Sequence, residues 1–200
     1  MSSPLYRTPD SEVTVGIASV RDRYDGLRQD VEDVRGAPGA DARLSADVAQ
    51  WLYSEARLLD NERWEDWAAS CCDETILWVP IDSRTPNPGS DQALFLDDRR
   101  RLDERIWRFL DPNAWAVVPG GQVVRSVTRV EAWLDAKKTD EVLVSSCLSI
   151  QHVRNQSTFS TAGHQVHRLR RATDNSWTLI QKTLLLPQLA AGTPHLGWLM

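Results

Sequence analysis

The hydrophobic period of the chain changes near residue 115. Before this point apolar side chains recur every three or four residues, the spacing of helices with one buried face. After it, apolar and polar side chains alternate over four runs, near 123–135, 141–154, 158–172 and 176–187, as in strands with one buried face. Short polar turns separate these runs, so neighbouring strands should pair antiparallel. The pattern predicts an α+β fold, with N-terminal helices packed on one face of a long, curved, mostly antiparallel sheet.

The first forty residues are set apart by a linker, Gly36-Ala37-Pro38-Gly39. Apolar residues at helical spacing predict a helix over 15–35, ahead of this linker. A chain of 200 residues is about the size of one domain. We therefore expect an N-terminal extension, 1–40, that contains a helix, followed by a single domain, 41–200.

Helical spacing resumes after the linker. It predicts one helix over 44–59 and a second that runs from Trp64 to the adjacent cysteines at 71 and 72. The β-branched and aromatic run 75–80 predicts a short strand that ends at a proline. Ser90 can cap a third helix, from Asp91 to about Leu110.

The sequence contains no conventional catalytic motif. It has no G-x-S-x-G elbow, phosphate-binding glycine loop, H-E-x-x-H or C-x-x-C. His164 and His167 lie three apart on an expected strand and therefore point to opposite faces, so they cannot share one metal ion. We expect no metal and no cofactor in this chain. Cys71 and Cys72 are interpreted as including one packed thiol and not a nucleophile, because no histidine lies near them in the sequence.

His152 is the candidate for a pocket acid or base. It ends the apolar face of its expected strand, where Arg125, His167 or Trp78 could be its neighbours. Asp82 is a second candidate acid. The alternative interpretation of His152 is a hydrogen-bonded histidine at the rim or in the core.

Charge and cysteine content indicate the setting of the chain. Lys and Arg number 23 against 28 Asp and Glu, a net charge of −5, so no basic excess is available for nucleic acid. No apolar run is long enough to span a membrane, and the N-terminus lacks the pattern of an export signal. Three cysteines without disulfide or metal spacing fit a reducing compartment. We expect a cytoplasmic protein without nucleic-acid or membrane partners.

The C-terminal segment is unusually apolar. Four large apolar side chains, Leu196, Trp198, Leu199 and Met200, lie within its last five residues. Such a tail is expected to be covered, either by folding back on its own domain or by a neighbouring subunit. We favour the interface, because tryptophan and methionine are enriched at interface centres.

Several segments resemble the small (β) subunits of Rieske-type aromatic-ring-hydroxylating dioxygenases. The likeness covers roughly 44–188, and its most specific part is Glu-Ala-Arg-Leu-Leu-Asp, residues 55–60. The chain departs from the family in its long N-terminal extension and in the connection 112–124. The segments that carry the resemblance are Trp51–Asn61, Trp64–Trp67, Ile76–Pro80, Phe95–Arg99, Arg125–Val130 and Trp177–Leu186.

The resemblance implies a cone-shaped fold like that of nuclear transport factor 2, shared with SnoaL-like proteins. It also implies a non-catalytic role in assembly. A partner α subunit would carry the Rieske 2Fe-2S cluster and a mononuclear Fe(II), electrons would arrive from NADH through a reductase, and the complex would be α3β3. The alternative is a stand-alone dehydratase, isomerase or cyclase of the same fold that uses His152 or Asp82. The helix motif favours the β subunit.

Overall fold

The computed structural model describes residues 17–111, 121–154 and 156–191. These residues form one six-stranded sheet with helices on both faces and a closing 3-10 helix, Pro187–Ala191. The elements are, in chain order, α1 (Ile17–Gly36), α2 (Ala42–Asp60), α3 (Trp64–Ala69), β1 (Cys71–Pro80), β2 (Ala93–Asp98), α4 (Arg99–Leu110), β3 (Gln122–Leu134), β4 (Glu141–Arg154), β5 (Ser157–Arg171) and β6 (Trp177–Leu185).

The sheet confirms the predicted fold class. Its strand order is β2-β1-β6-β5-β4-β3, and every neighbouring pair is antiparallel except β1 and β6, which run parallel. Strands β3 to β6 form the predicted antiparallel meander. Because β1 pairs with β6, the first strand in the chain lies beside the last one in the sheet.

Helix α2 lies across one face of the sheet and carries much of the main core. Asp41 caps its start, where the carboxylate accepts hydrogen bonds from the backbone of Arg43 and Leu44. Its apolar residues at helical spacing are buried, among them Val48 and Leu52, which are fully inaccessible. They pack with side chains of α3, α4 and the sheet in one continuous apolar cluster.

Helix α1 lies on the opposite face of the sheet. It confirms the helix predicted over 15–35, and Leu27 and Val31 pack with Ile76, Trp78 and Val166 in a second apolar cluster. Neighbouring residues of β1 belong to the main core, so the two clusters are on opposite faces. The sequence pattern predicts helices on one face, whereas the structure adds α1 on the other. The division into 1–40 and 41–200 remains a prediction.

Two local predictions are wrong. The helix expected from Asp91 begins at Arg99 and is capped by Asp98, because 93–98 forms strand β2 against β1. The adjacent cysteines, expected on a helix, begin β1 instead. In both cases the apolar spacing suits either structure, and pairing between β1, β2 and β6 decides for the strand.

A β-bulge in β6 determines which of its residues face α2. Arg168 pairs with Gln181 and Leu169 pairs with Leu179, so Ile180 is an extra residue. The bulge resets the alternation, and Leu179 and Leu184 therefore both belong to the main core. Lys182, an even number of residues from Leu184, points into the same core.

Candidate functional site

Three charged or titratable side chains meet beneath α2. Glu55 of α2, His167 of β5 and Lys182 of β6 are all nearly inaccessible to solvent. The Lys182 ammonium donates to Glu55 Oε1 at 2.8 Å, and Nε2 of His167 lies 3.4 Å from Glu55 Oε2. Glu55 also accepts a hydrogen bond from the Trp67 indole at 3.1 Å. We call Glu55, His167 and Lys182 the buried triad.

The electrostatics of the buried triad fix its charge state. Burial by itself would raise the pKa of Glu55, but Lys182 and His167 hold that pKa below its ordinary value. Burial lowers the pKa of His167, which Glu55 only partly opposes. The triad is therefore an ion pair of Glu55 and Lys182 beside a neutral imidazole at neutral pH.

The His167 ring packs against a tryptophan of α2. Trp51 of α2 packs against it at a centroid distance of 6.1 Å with nearly perpendicular planes. Neither ring nitrogen forms a well-shaped hydrogen bond with a described residue.

A carboxylate and an ammonium that neutralise each other out of contact with water are poor proton carriers. The triad therefore joins α2 to β5 and β6.

A second ion pair, between a buried arginine and a partly buried aspartate, lies where α2 ends. Arg125 of β3 donates from its guanidinium to Asp60 Oδ1 at 2.6 Å, and its backbone N–H donates to Oδ2 at 3.0 Å. Burial lowers the pKa of Arg125, and Asp60 opposes the shift. This pair fixes the end of α2 to β3.

His152 is buried on the face of β4 that points toward α2. It pairs across the sheet with Val123, and Arg125 pairs with Ile150, so His152 and Arg125 are near neighbours on one face. His167 is not a neighbour, because it pairs with Val144, eight residues or about 27 Å along β4. Trp78 belongs to the opposite face.

Asp82 lies on the exposed loop after β1. Its carboxylate accepts hydrogen bonds from the Arg84 backbone at 2.8 Å and the Thr85 hydroxyl at 2.9 Å. These hydrogen bonds lower the pKa of Asp82. The structure places one candidate acid in solvent and the other, His152, in the core, so it does not combine them in one site.

The described residues do not fit an iron or iron–sulfur group. They contain no group of three His, Cys, Asp or Glu side chains arranged around a metal position. A Rieske cluster needs two converging cysteines and two histidines. One cysteine and one histidine lie close together: Cys147 Sγ is 3.7 Å from His164 Nδ1. A second cysteine, Cys71, is a poor metal ligand, because burial raises the pKa of its thiol to about 12. His164 and His167 point to opposite faces of β5, as their spacing predicts.

Some predicted features lie outside the described residues. The proposed interface residues Leu196, Trp198, Leu199 and Met200 are among them. Within the described part, no helix is long and apolar enough to cross a membrane.

The sequence interpretation missed Glu55 and Lys182 as partners. A usable signal was present, because a glutamate on the apolar face of α2 and a lysine within an apolar strand are both expensive to bury alone. Opposite charges in such positions predict a pair, although the pairing register stays open.

The fold and this interior define the class of the protein. It is an α+β protein with helices packed on a six-stranded sheet, a fold like that of nuclear transport factor 2. A chain of naphthalene 1,2-dioxygenase with indole bound superposes with a TM-score of 0.72 at 21% identity, covering 88% of this chain and 96% of that one. A scytalone dehydratase homologue from Novosphingobium aromaticivorans gives a TM-score of 0.50 at 12% identity, covering 70% and 80%. At these identities the likeness shows the fold alone.

Sequence comparison identifies the family. The model of the ring hydroxylating beta subunit matches residues 54–190, more than half of the chain, so the chain belongs to that family. The β subunit of benzoate 1,2-dioxygenase from Acinetobacter baylyi is 32% identical over 42% of this chain and 53% of its own length. This alignment therefore spans about half of that relative.

Two further relatives match over most of their length. The small oxygenase component of the p-cumate 2,3-dioxygenase system from Pseudomonas putida is 28% identical over 75% of this chain and 82% of its own. The β subunit of benzene 1,2-dioxygenase from the same species is 28% identical over 80% and 90%.

Proposed function

We propose that this chain is the non-catalytic β subunit of an aromatic-ring-hydroxylating dioxygenase. The observation that carries the proposal is the family match over 54–190, which includes the buried triad and all six strands of the sheet. In this assignment an α subunit holds the Rieske 2Fe-2S cluster and the mononuclear Fe(II), and NADH supplies electrons through a reductase. The β subunit holds α subunits in the arrangement that electron transfer requires.

The interior of the chain supports a role without chemistry. Its buried charges neutralise one another: Glu55 with Lys182, and Asp60 with Arg125. A catalytic acid or base must reach a substrate and change protonation near the working pH. The stand-alone enzyme gains no support, since Asp82 is exposed with a lowered pKa.

Exposed apolar side chains support a role in assembly. On α4, Trp107 is 56% exposed and Leu110 follows one turn later. Val124 and Leu134 on the edge strand β3, and Val153 on the neighbouring β4, are also exposed. Large apolar side chains left in solvent are typical of surfaces that bind other subunits.

We infer an α3β3 complex in which Leu196, Trp198, Leu199 and Met200 dock on a neighbouring β or α subunit. Three copies of each chain would bury both the tail and the exposed apolar side chains of α4. The net charge of −5 supports a protein partner over nucleic acid. We place the complex in the cytoplasm, without a membrane partner.

The proposal is tested by the metal content of the chain with and without its α subunit. The chain purified alone should contain neither iron nor labile sulfide after chelation of loosely bound metal, and co-expression should give a brown complex that contains both. Stoichiometric iron retained by the isolated chain would contradict the assignment. So would turnover of an aromatic substrate by the isolated chain.

A further inference from the structure

A cleft opens between the C-terminal end of α1, the linker that follows it, the loop after β1 and the face of the sheet under α1. Its volume is about 850 Å³. It is distinct from the buried triad, which lies on the opposite face. Two kinds of side chain line it: a cationic group formed by Arg35, Arg84 and Arg129, with His164 beside it, and an apolar wall that includes Val34, Trp133 and Val166. We call it the arginine cleft.

The charges of the arginine cleft are not balanced by its own carboxylates. Among the described residues that line it, three are arginines and one, Glu131, is a carboxylate. The Arg35 guanidinium donates to two backbone carbonyls, of Arg84 at 2.6 Å and Ser83 at 2.8 Å. Carbonyl partners hold Arg35 in place and leave its full charge uncompensated. Asp82, on the same loop, does not line the cleft; its carboxylate accepts from Arg84 N–H and the Thr85 hydroxyl, and its charge also interacts with that of Arg84.

Arg129 is directed into the cleft by an unusual backbone. It lies at a β-bulge of β3 with φ of 48°, in the left-handed region that arginine seldom adopts. Its guanidinium donates to Nδ1 of His164, two strands away, at 3.1 Å. Its contact with Glu131 is longer, 3.8 Å between exposed side chains. Backbone strain of this kind is concentrated at functional sites.

The His164 ring is neutral and adds no charge to this group. Since a guanidinium only donates hydrogen bonds, Nδ1 must be the acceptor, so the ring lacks a proton at that atom. Burial, then Arg129 and Arg35, lowers the pKa of His164. With a neutral histidine, three arginines and one glutamate leave the arginine cleft with a formal charge of +2.

The apolar wall restricts the kind of anion that fits. Trp133 is fixed in position by a hydrogen bond from its indole to the Pro38 carbonyl at 2.9 Å. Val31 and Val166 are buried in the apolar cluster beneath α1, and the partly exposed Val34 and Trp133 form the surface of the wall. A bare oxyanion would contact the arginines and leave the apolar wall in contact with water. A carboxylate attached to an apolar body would contact both the arginines and the wall. We propose that the arginine cleft binds a small aromatic or alicyclic carboxylate, with its carboxylate on the arginines and its ring against Trp133.

The test is isothermal titration calorimetry of the full chain with three probes. Benzoate carries both features, benzamide has the same ring without the charge, and inorganic phosphate has charge without the ring. We expect saturable binding of benzoate at one site, and binding of benzamide and phosphate at least about tenfold weaker. No saturable binding of benzoate, or equal binding of either other probe, would overturn the proposal.

Variants locate the site. Arg129→Gln and Arg84→Gln should each weaken benzoate binding at least about fivefold. Arg100→Gln is the matched control, because Arg100 is an exposed arginine of α4 paired with Glu104. Thermal unfolding followed by circular dichroism verifies that the variants fold, and the exposed Arg84 provides a second variant if Arg129→Gln is unstable. Binding that neither cleft variant weakens, or that Arg100→Gln weakens equally, would place the site elsewhere and refute the inference.

Discussion

Removal of Lys182 isolates the energetic role of the buried triad. At an effective dielectric constant of about 20, charges 2.8 Å apart attract by about 6 kcal/mol, before the cost of desolvation is subtracted. Lys182→Met leaves the Glu55 carboxylate buried without its cation. We expect the free energy of unfolding to fall by about 3–5 kcal/mol at pH 7. His167 can share the charge only by taking up a proton, which its lowered pKa opposes.

The pH dependence gives this prediction a sign. In the native chain the pKa of Glu55 is lowered, so its contribution to stability is present above the unfolded pKa and is lost as the pH falls. Without Lys182, burial becomes the dominant effect and raises that pKa. The variant then keeps its stability below the unfolded pKa and loses it as the pH rises. The difference between the two proteins should therefore be larger at pH 7 than at pH 5.

Urea unfolding of the native chain and four variants measures these quantities: Lys182→Met, Glu55→Gln, the double variant of both, and a control. Lys137→Met is the matched control, since Lys137 is exposed in the turn between β3 and β4, and it should change stability by no more than about 0.5 kcal/mol. The double variant Glu55→Gln/Lys182→Met should be more stable than Lys182→Met, because the neutral amide introduced on α2 can still accept from Trp67. If Lys182→Met costs no more than Lys137→Met, or the double variant is as unstable as the sum of the singles, the reasoning fails.

Three further predictions concern the histidines, the packing around Gly163 and the tail. Changing His152, His164 or His167 to Gln should cost at most about 1–3 kcal/mol and leave turnover per assembled complex nearly intact, whereas a hundredfold loss of kcat would favour a catalytic role. Gly163→Ala places a Cβ against the Leu185 carbonyl and should destabilise by about 1–3 kcal/mol in urea unfolding, while Gly26→Ala, with open space around it, should not; equal effects would contradict the packing. Deleting 195–200 should shift the oligomer to smaller species in sedimentation with unchanged circular dichroism, and normal assembly would refute the interface.

Periodicity predicts most of the fold because each of its signals is local. The apolar spacing of α2 and the alternation along β3, β4 and β5 are properties of neighbouring residues, and the structure has these elements close to their expected bounds. The prediction for segment 93–98 is wrong because a strand of six residues, Ala-Leu-Phe-Leu-Asp-Asp, is decided by its partner. That partner, β1, pairs with both β2 and β6, and this pairing is not a property of the segment 93–98 itself.

The candidate site is less predictable because its contacts are long-range. Glu55 and Lys182 are 127 residues apart, and Lys182 faces Glu55 only because the bulge at Ile180 resets the alternation of β6. Arg129 reaches His164 across an intervening strand, from a backbone conformation that no side-chain pattern indicates. The family motif at 55–60 points to the right helix, and the structure shows that both of its acidic residues form ion pairs, Glu55 in the interior and Asp60 at a partly buried position.

Native mass spectrometry of the chain co-expressed with its α subunit measures whether the two chains assemble. We expect one complex with equal numbers of the two chains, three of each, in which the iron content follows the number of α subunits. A chain that stays apart from the α subunit under conditions in which the α subunit is folded and iron-loaded would contradict the assignment. Iron that follows this chain instead would contradict it equally.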